Sequence, residues 1–253
     1  MFKELFSTIL QVIFKPTILI PLITISLLSG GINIYAGWVL ERPTIDFVLY
    51  YDSIPNDNML GVMATNYPLE LIALGVIGLV MTLIGIIAIT SVARIAKGDG
   101  FSSAINDSIK EWKKALGLTI VGICAFIFFG FIFAIALATI AINALLSQIL
   151  FIIIAIIFFV VIVKSIFVIP LITEFDLKKA FKESWKFTDK RFWSTLALII
   201  LSGLISFIGM VIISQIGIWI PADVELIFFI IGEAFLSAYF ITAITNYYDS
   251  KQK

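Results

Sequence analysis

Two ionisable residues, Lys164 and Glu233, stand inside stretches apolar enough to cross a membrane, and they are the first candidates for chemistry. A charge at the bilayer centre costs about 2.5–3.5 kcal/mol or more, so such groups face a bundle interior or a water path. Lys164 lies close enough to a span end to snorkel. Glu233 stands deeper, about twelve residues past Pro221, with Gln215 and Ser237 as its expected polar neighbours. These four residues form a candidate intramembrane polar site. Glu233 has three roles open to it: a protonated structural group, an ion-pair partner of Lys164, or a carrier of protons or substrate. In each role its side chain is expected to face other helices, because a lipid-facing carboxylate has nothing to offset its desolvation.

Other chemistry is thin. The chain has no histidine, which removes the commonest metal ligand and general base. Cys124 is the single cysteine and lies in an apolar stretch, where a thiol is a packing group rather than a nucleophile. Lys97-Gly98-Asp99-Gly100 lacks the flanking strand that gives a phosphate loop its meaning. No catalytic, cofactor-binding or metal-ligating residue is assigned, and no cofactor is expected.

The elements that must position these groups are membrane spans. Mean hydropathy is +1.12, with 61% hydrophobic and 13% charged residues, whereas soluble domains carry about 25% charged. Apolar stretches run over 17–40, 71–93, 115–146, 148–163, 192–217 and 226–247, the fourth continuing past Lys164 to Ile172. Helices need about 20 residues to cross. The first run exceeds the roughly 7–15 residues of a signal h-region, so it is read as a retained span. The reading is an all-α integral membrane protein of six transmembrane helices arranged as three hairpins. It is one membrane domain, 1–253, with repeat-like units at 1–93, 94–172 and 173–253.

Of the 17 Lys and Arg residues, all but Arg42 fall on one side of this arrangement. Cytoplasmic loops collect basic residues, so both termini are expected in the cytoplasm of a multi-pass cell-membrane protein. Nucleic-acid binding would need a concentrated basic surface on a readable fold, and neither is present.

An amphipathic segment precedes the first, third and fifth spans. In the second of these, Phe101, Ile105, Ser108, Ile109, Trp112 and Leu116 recur at three- and four-residue spacing. In the third, Leu177, Phe181, Ser184, Trp185, Thr188 and Phe192 do the same, with lysines opposite. At an offset of 76 positions Ala104 maps to Ala180, Ser108 to Ser184, Lys110 to Lys186 and Lys114 to Lys190. The N-terminal copy, Phe2 to Ile13, is looser. Lysine-rich helices with such faces lie in the plane of the interface, here anchored by Trp112 and Trp185.

The connections differ in length. The outer links near Leu145 to Ser147 and Ile218 to Glu225 are short, while the link over 41–70 is long, as functional or mobile loops are. Small residues four apart, Gly130/Ala134/Ala138, Ser202/Ser206 and Ala234/Ala238, mark expected packing seams. Trp38, Trp193 and Trp219 lie near span ends, as an aromatic belt requires.

Ile169-Pro170-Leu171-Ile172-Thr173-Glu174, then Ala180, Glu183-Ser184-Trp185-Lys186-Phe187 and Phe192-Trp193, with Thr245-Asn246-Tyr247-Tyr248-Asp249 at the end, make a signature. It resembles the membrane-domain family associated with glycerophosphoryl diester phosphodiesterases and related bacterial and archaeal integral membrane proteins of unknown function. Glu183 stands where that pattern has a basic residue, and Asp189-Lys190 where it has a glycine turn. The resemblance implies the membrane module without the soluble catalytic domain.

The expected function is therefore non-enzymatic: a lipid-organising, lipid-sensing or scaffolding module. Its expected partners are membrane lipids with anionic headgroups at the cytoplasmic face, a protein partner or a second copy, and no nucleic acid. The alternative is a small-molecule or lipid transporter using Glu233 in the bundle interior. Topology is testable directly. In a Cys124→Ala background, an impermeant thiol reagent should label Asp57→Cys and spare Lys110→Cys; labelling at 110 alone would reverse the orientation.

Overall fold

The computed structural model describes residues 2–30, 68–139 and 143–252, and its regular structure is entirely helical. Helix α1 covers Phe2–Phe14 and ends where Lys15 precedes Pro16. A residue before proline is pushed out of helical geometry, and the chain turns by 91° into α2, helical over 20–30. Next come α3 (Pro68–Lys97), α4 (Phe101–Lys110) and α5 (Trp112–Ala138). Gly98, at φ 111°, stops α3 in the left-handed conformation that favours glycine, and the Asp99 N–H donates back to the Arg94 carbonyl at 3.1 Å.

Helix α6 (Ala144–Ser165) begins at Asn143, whose side chain accepts from the Leu146 N–H at 3.1 Å. It breaks before α7 (Val168–Ile172) because Pro170 has no N–H and its ring crowds the carbonyl four residues back. Helices α8 (Leu177–Asp189), α9 (Phe192–Gly217) and α10 (Ala222–Gln252) complete the chain. Among the described residues five helical segments are long and apolar enough to cross a membrane, or six if the bent N-terminal pair is one span. The protein is a multi-pass helical membrane protein.

The buried core gathers at the end of the bundle where the basic residues lie. One cluster joins Leu5, Phe167, Leu171, Phe187, Leu198, Tyr239 and Tyr247. The other joins Val12, Leu22, Ala88, Val92, Ala104, Ala238 and Ile241. Helix α10 contributes to both and is the central element. Its packing on α9 is close at glycines: a Cβ at Gly232 would lie 2.6 Å from Ile213, at Gly209 2.5 Å from Leu236, and at Gly217 2.8 Å from Phe229. The α5–α6 pair is zipped by Phe129 on Phe158 and Phe133 on Phe151, and by Ser147 Oγ donating to the Ala136 carbonyl at 2.6 Å.

Three cations close the basic end. Arg94 Nη2 donates to the Thr173 carbonyl at 3.2 Å, Lys97 Nζ to the Pro170 carbonyl at 2.8 Å, and Lys114 Nζ to the Ile172 carbonyl at 3.3 Å. These are carbonyls that the end of α7 leaves without helical partners. Glu111 bridges Arg94 (2.7 Å) and Lys114 (2.8 Å), and Glu174 pairs with Lys97.

Several sequence expectations are corrected. Helix α5 ends at Ala138 and α6 begins at Ala144, so Leu145 to Ser147 belong to α6. Trp112 and Leu116 belong to α5, not to the amphipathic helix, which ends at Lys110. Likewise Phe192 opens α9. Gly130, Ala134 and Ala138 are exposed and make no seam, whereas Ser202, Ala234 and Ala238 are buried. The link over 41–70 lies outside the described residues except for its last three, which open α3, and Trp38 lies outside them too.

Lys97→Met should lower stability by about 2 kcal/mol, because two acceptors lose a charged donor whose side chain is only 14% exposed. The Glu174 pair adds little to that figure, since that carboxylate is 45% exposed and screened. Lys110→Met, at a side chain 66% exposed, should stay within about 0.5 kcal/mol of wild type. Equal thermal shifts for the two variants in detergent would show that the carbonyl clamp carries no special stability.

Candidate functional site

The sequence-derived polar site does not assemble. Glu233 is exposed on α10 and Gln215 is exposed on α9, while Ser237 is half-buried. Lys164 is in the last turn of α6, and its Nζ lies 2.6 Å from Asp189 Oδ1 of α8, not beside Glu233. No hydrogen bond joins any two of the four among the described residues. The expectation that Glu233 faces other helices is thus corrected: the close α9–α10 seam is made by the glycines and their apolar neighbours, and Glu233 falls outside it.

What does assemble is a basic and aromatic surface on α8. One face of this helix is docked: Ala180, Ser184 and Thr188 are fully buried and Phe187 nearly so. Along its length α8 packs against several neighbouring helices. Leu177 reaches within 2.9 Å of where a Cβ at Gly117 of α5 would lie. Ser184 Oγ donates to the Lys164 carbonyl at 2.6 Å, and Trp185 Nε1 to Ser165 Oγ at 3.4 Å, both on α6. Phe187 packs edge-on against Tyr247 and at 4.9 Å from Tyr248 of α10, with Phe167 in the same aromatic group. The stretches 169–193 and 245–249 therefore meet in space.

The opposite face carries Lys182, Lys186 and Lys190, spaced one turn apart and exposed. Lys186 is 3.9 Å from Glu183, and no ion pair is formed by Lys182 or Lys190 among the described residues. Trp185, 41% exposed, sits beside this row with Lys164 Nζ 5.1 Å from its ring centroid. Phe181, Lys182, Trp185, Lys186, Asp189 and Lys190 line an open hollow of about 530 Å³.

Asp189 was not among the site residues expected from sequence; its partnership with Lys164 is a contact between two different helices. Of the two interfacial anchors, Trp185 belongs to this surface, while Trp112, 45% exposed, stands at the start of α5. Chemically the surface can hold anions: it offers ammonium donors in a row and an indole at their edge, with the local carboxylates already paired. Among the described residues no three Asp, Glu or Cys side chains converge. Comparison with known protein families, curated proteins and solved structures finds no match.

With no partner for its carboxylate among the described residues, Glu233→Leu should leave thermal stability in detergent unchanged or raise it, since an isolated polar group is removed from an apolar surface. A fall in unfolding temperature of more than about 5 °C, on the order of 1–2 kcal/mol at this chain length, would show that the carboxylate has a structural partner.

Proposed function

We propose that this chain is a non-enzymatic membrane module that gathers anionic lipid headgroups at the cytoplasmic face. In this reading both termini are cytoplasmic, the spans form three hairpins, and α1, α4 and α8 are their amphipathic in-plane helices. The observation that carries the proposal is the row Lys182, Lys186 and Lys190 beside Trp185, on a helix docked by its opposite face. A helix so docked presents its lysines without further ordering cost, and each contributes about 1 kcal/mol toward an anionic surface. The 91° turn between α1 and α2 supports an in-plane α1, whose Phe6, Leu10 and Phe14 stay exposed while Leu5, Thr8 and Val12 are buried. The family resemblance supports the same reading, since it implies a membrane module whose chemistry resides elsewhere. Transport through Glu233 gains no support from four polar residues that stand apart.

The test is lipid retention by the purified protein, measured by native mass spectrometry after exposure to mixed phosphatidylglycerol and phosphatidylcholine micelles. Wild type should retain phosphatidylglycerol preferentially. The Lys182→Gln/Lys186→Gln/Lys190→Gln variant should lose about 3 kcal/mol of that preference, on the order of a hundredfold. Equal retention by the triple variant, or no preference in the wild type, would overturn the proposal.

A further inference from the structure

The lysine row borders two hollows, not one. On one flank of α8 lies the larger, about 530 Å³, walled by Phe181 and Trp185 and edged by Lys182, Lys186, Asp189 and Lys190. On the other flank lies a smaller, polar hollow of about 130 Å³, between α8 and the end of α10. Its lining is Glu183, Lys186, Phe187, Lys190, Arg191, Tyr248 and Gln252. Lys186 and Lys190 belong to both, so each can turn its ammonium to either side.

Charge and donors differ between the two in a way that constrains the ligand. The two hollows are lined by Lys182, Lys186, Lys190 and Arg191 against Asp189 and Glu183, and the carboxylates of Glu174 and Asp249 lie close enough to act on Tyr248 at the smaller one. Asp189 is taken by Lys164 at 2.6 Å, which leaves the larger hollow cationic. Arg191 is held in place: its guanidinium stacks 4.7 Å from the Phe187 centroid and donates to the Lys251 carbonyl at 3.2 Å. It is also the N-cap of α9, and its side chain makes no cap hydrogen bond there. Two anion positions thus lie either side of a shared pair of lysines one helical turn apart, roughly 5–6 Å. The larger is walled by Phe181 and Trp185, while the smaller, more polar one has only Phe187 and Tyr248 as aromatic groups.

Resting on the headgroup reading above, we infer that the ligand is a lipid carrying two phosphates, held with one phosphate in each hollow and its apolar part leaving past Phe181 and Trp185. A monophosphate lipid fills one position and leaves the other cationic and empty. Joining two phosphates makes the second contact intramolecular, which raises affinity without any new contact type.

Cardiolipin, phosphatidylglycerol, phosphatidylcholine and the acyl-free headgroup of cardiolipin, glycerophosphoryl-glycerol-glycerophosphate, are the probes, titrated on the full chain in detergent by native mass spectrometry. Cardiolipin should bind at least about tenfold tighter than phosphatidylglycerol at equal total phosphate, one molecule per chain where phosphatidylglycerol places two. Lys182→Gln, which touches only the larger hollow, should bring cardiolipin down to the phosphatidylglycerol level and reduce phosphatidylglycerol to one per chain. Equal affinity of the two lipids per phosphate would overturn the two-phosphate inference and leave headgroup binding standing. No preference of either over phosphatidylcholine would remove both. Acyl-free headgroup binding as tightly as cardiolipin would overturn the lipid assignment in favour of a soluble bisphosphate.

Discussion

The organisation of the basic end follows from one backbone problem. Pro170 ends the long helix before it and starts a short one, whose carbonyls at Pro170, Ile172 and Thr173 then have no helical donors. Arg94, Lys97 and Lys114 supply those donors from the end of α3 and the start of α5. Cations at a helix C-terminus also complement its partial negative charge. Because the donors come from two different helices, closing one helix end locks three elements together. Helix α8 departs from that locked corner, which fixes where its docked and open faces point.

The same corner ties the lipid-facing proposal to the core. Ser184 holds the Lys164 carbonyl, Phe187 packs on Tyr247 and Tyr248, and Asn246 next to them donates to Gln11 Oε1 at 2.8 Å and Thr8 Oγ1 at 3.2 Å. Gln11 in turn donates to the Ala96 carbonyl at 3.1 Å. A chain of hydrogen bonds therefore runs from α10 through α1 to α3, one residue away from the aromatic group that seats α8. Amides suit this role: Gln11 accepts from Asn246 while donating to Ala96, and Asn246 places its amide protons on two acceptors.

Hydropathy located most of the fold. The stretches 71–93 and 192–217 coincide with α3 and α9 to within a few residues, because a span must be continuously apolar and Glu70, Arg94, Arg191 and Pro221 stand at or near their ends. It failed to separate the end of α5 at Ala138 from the start of α6 at Ala144, because the sequence from Thr139 to Leu146 is nearly as apolar as the helices on either side and the signal is the single cap residue Asn143. Small-residue spacing identified Ala234 and Ala238 but also pointed to Gly130, which packs on nothing, and it passed over Gly209, Gly217 and Gly232. Spacing shows that a close approach is possible; which glycines are used depends on where the partner helix crosses. The intramembrane site failed for the same reason. Lys164 and Glu233 are conspicuous in sequence, but Lys164 finds its counter-ion on α8, a helix whose placement hydropathy cannot give.

The offset of 76 positions is the sequence feature with the clearest structural counterpart, and it also shows why one copy is a brace and the other a surface. Ala104 and Ala180 are both fully buried, and so, within a few per cent, are Ser108 and Ser184. The two helices therefore dock through the same positions. Their lysines are used differently. After α4 the chain turns at Glu111, and Lys114 falls inside α5, where it is spent on Glu111 and the Ile172 carbonyl. Helix α8 continues to Asp189, so Lys190, the equivalent of Lys114, stays outside the next span and exposed. A change in where the helix ends, with the docking face kept, turns a lysine that satisfies an internal carbonyl into one that is free to meet an anion.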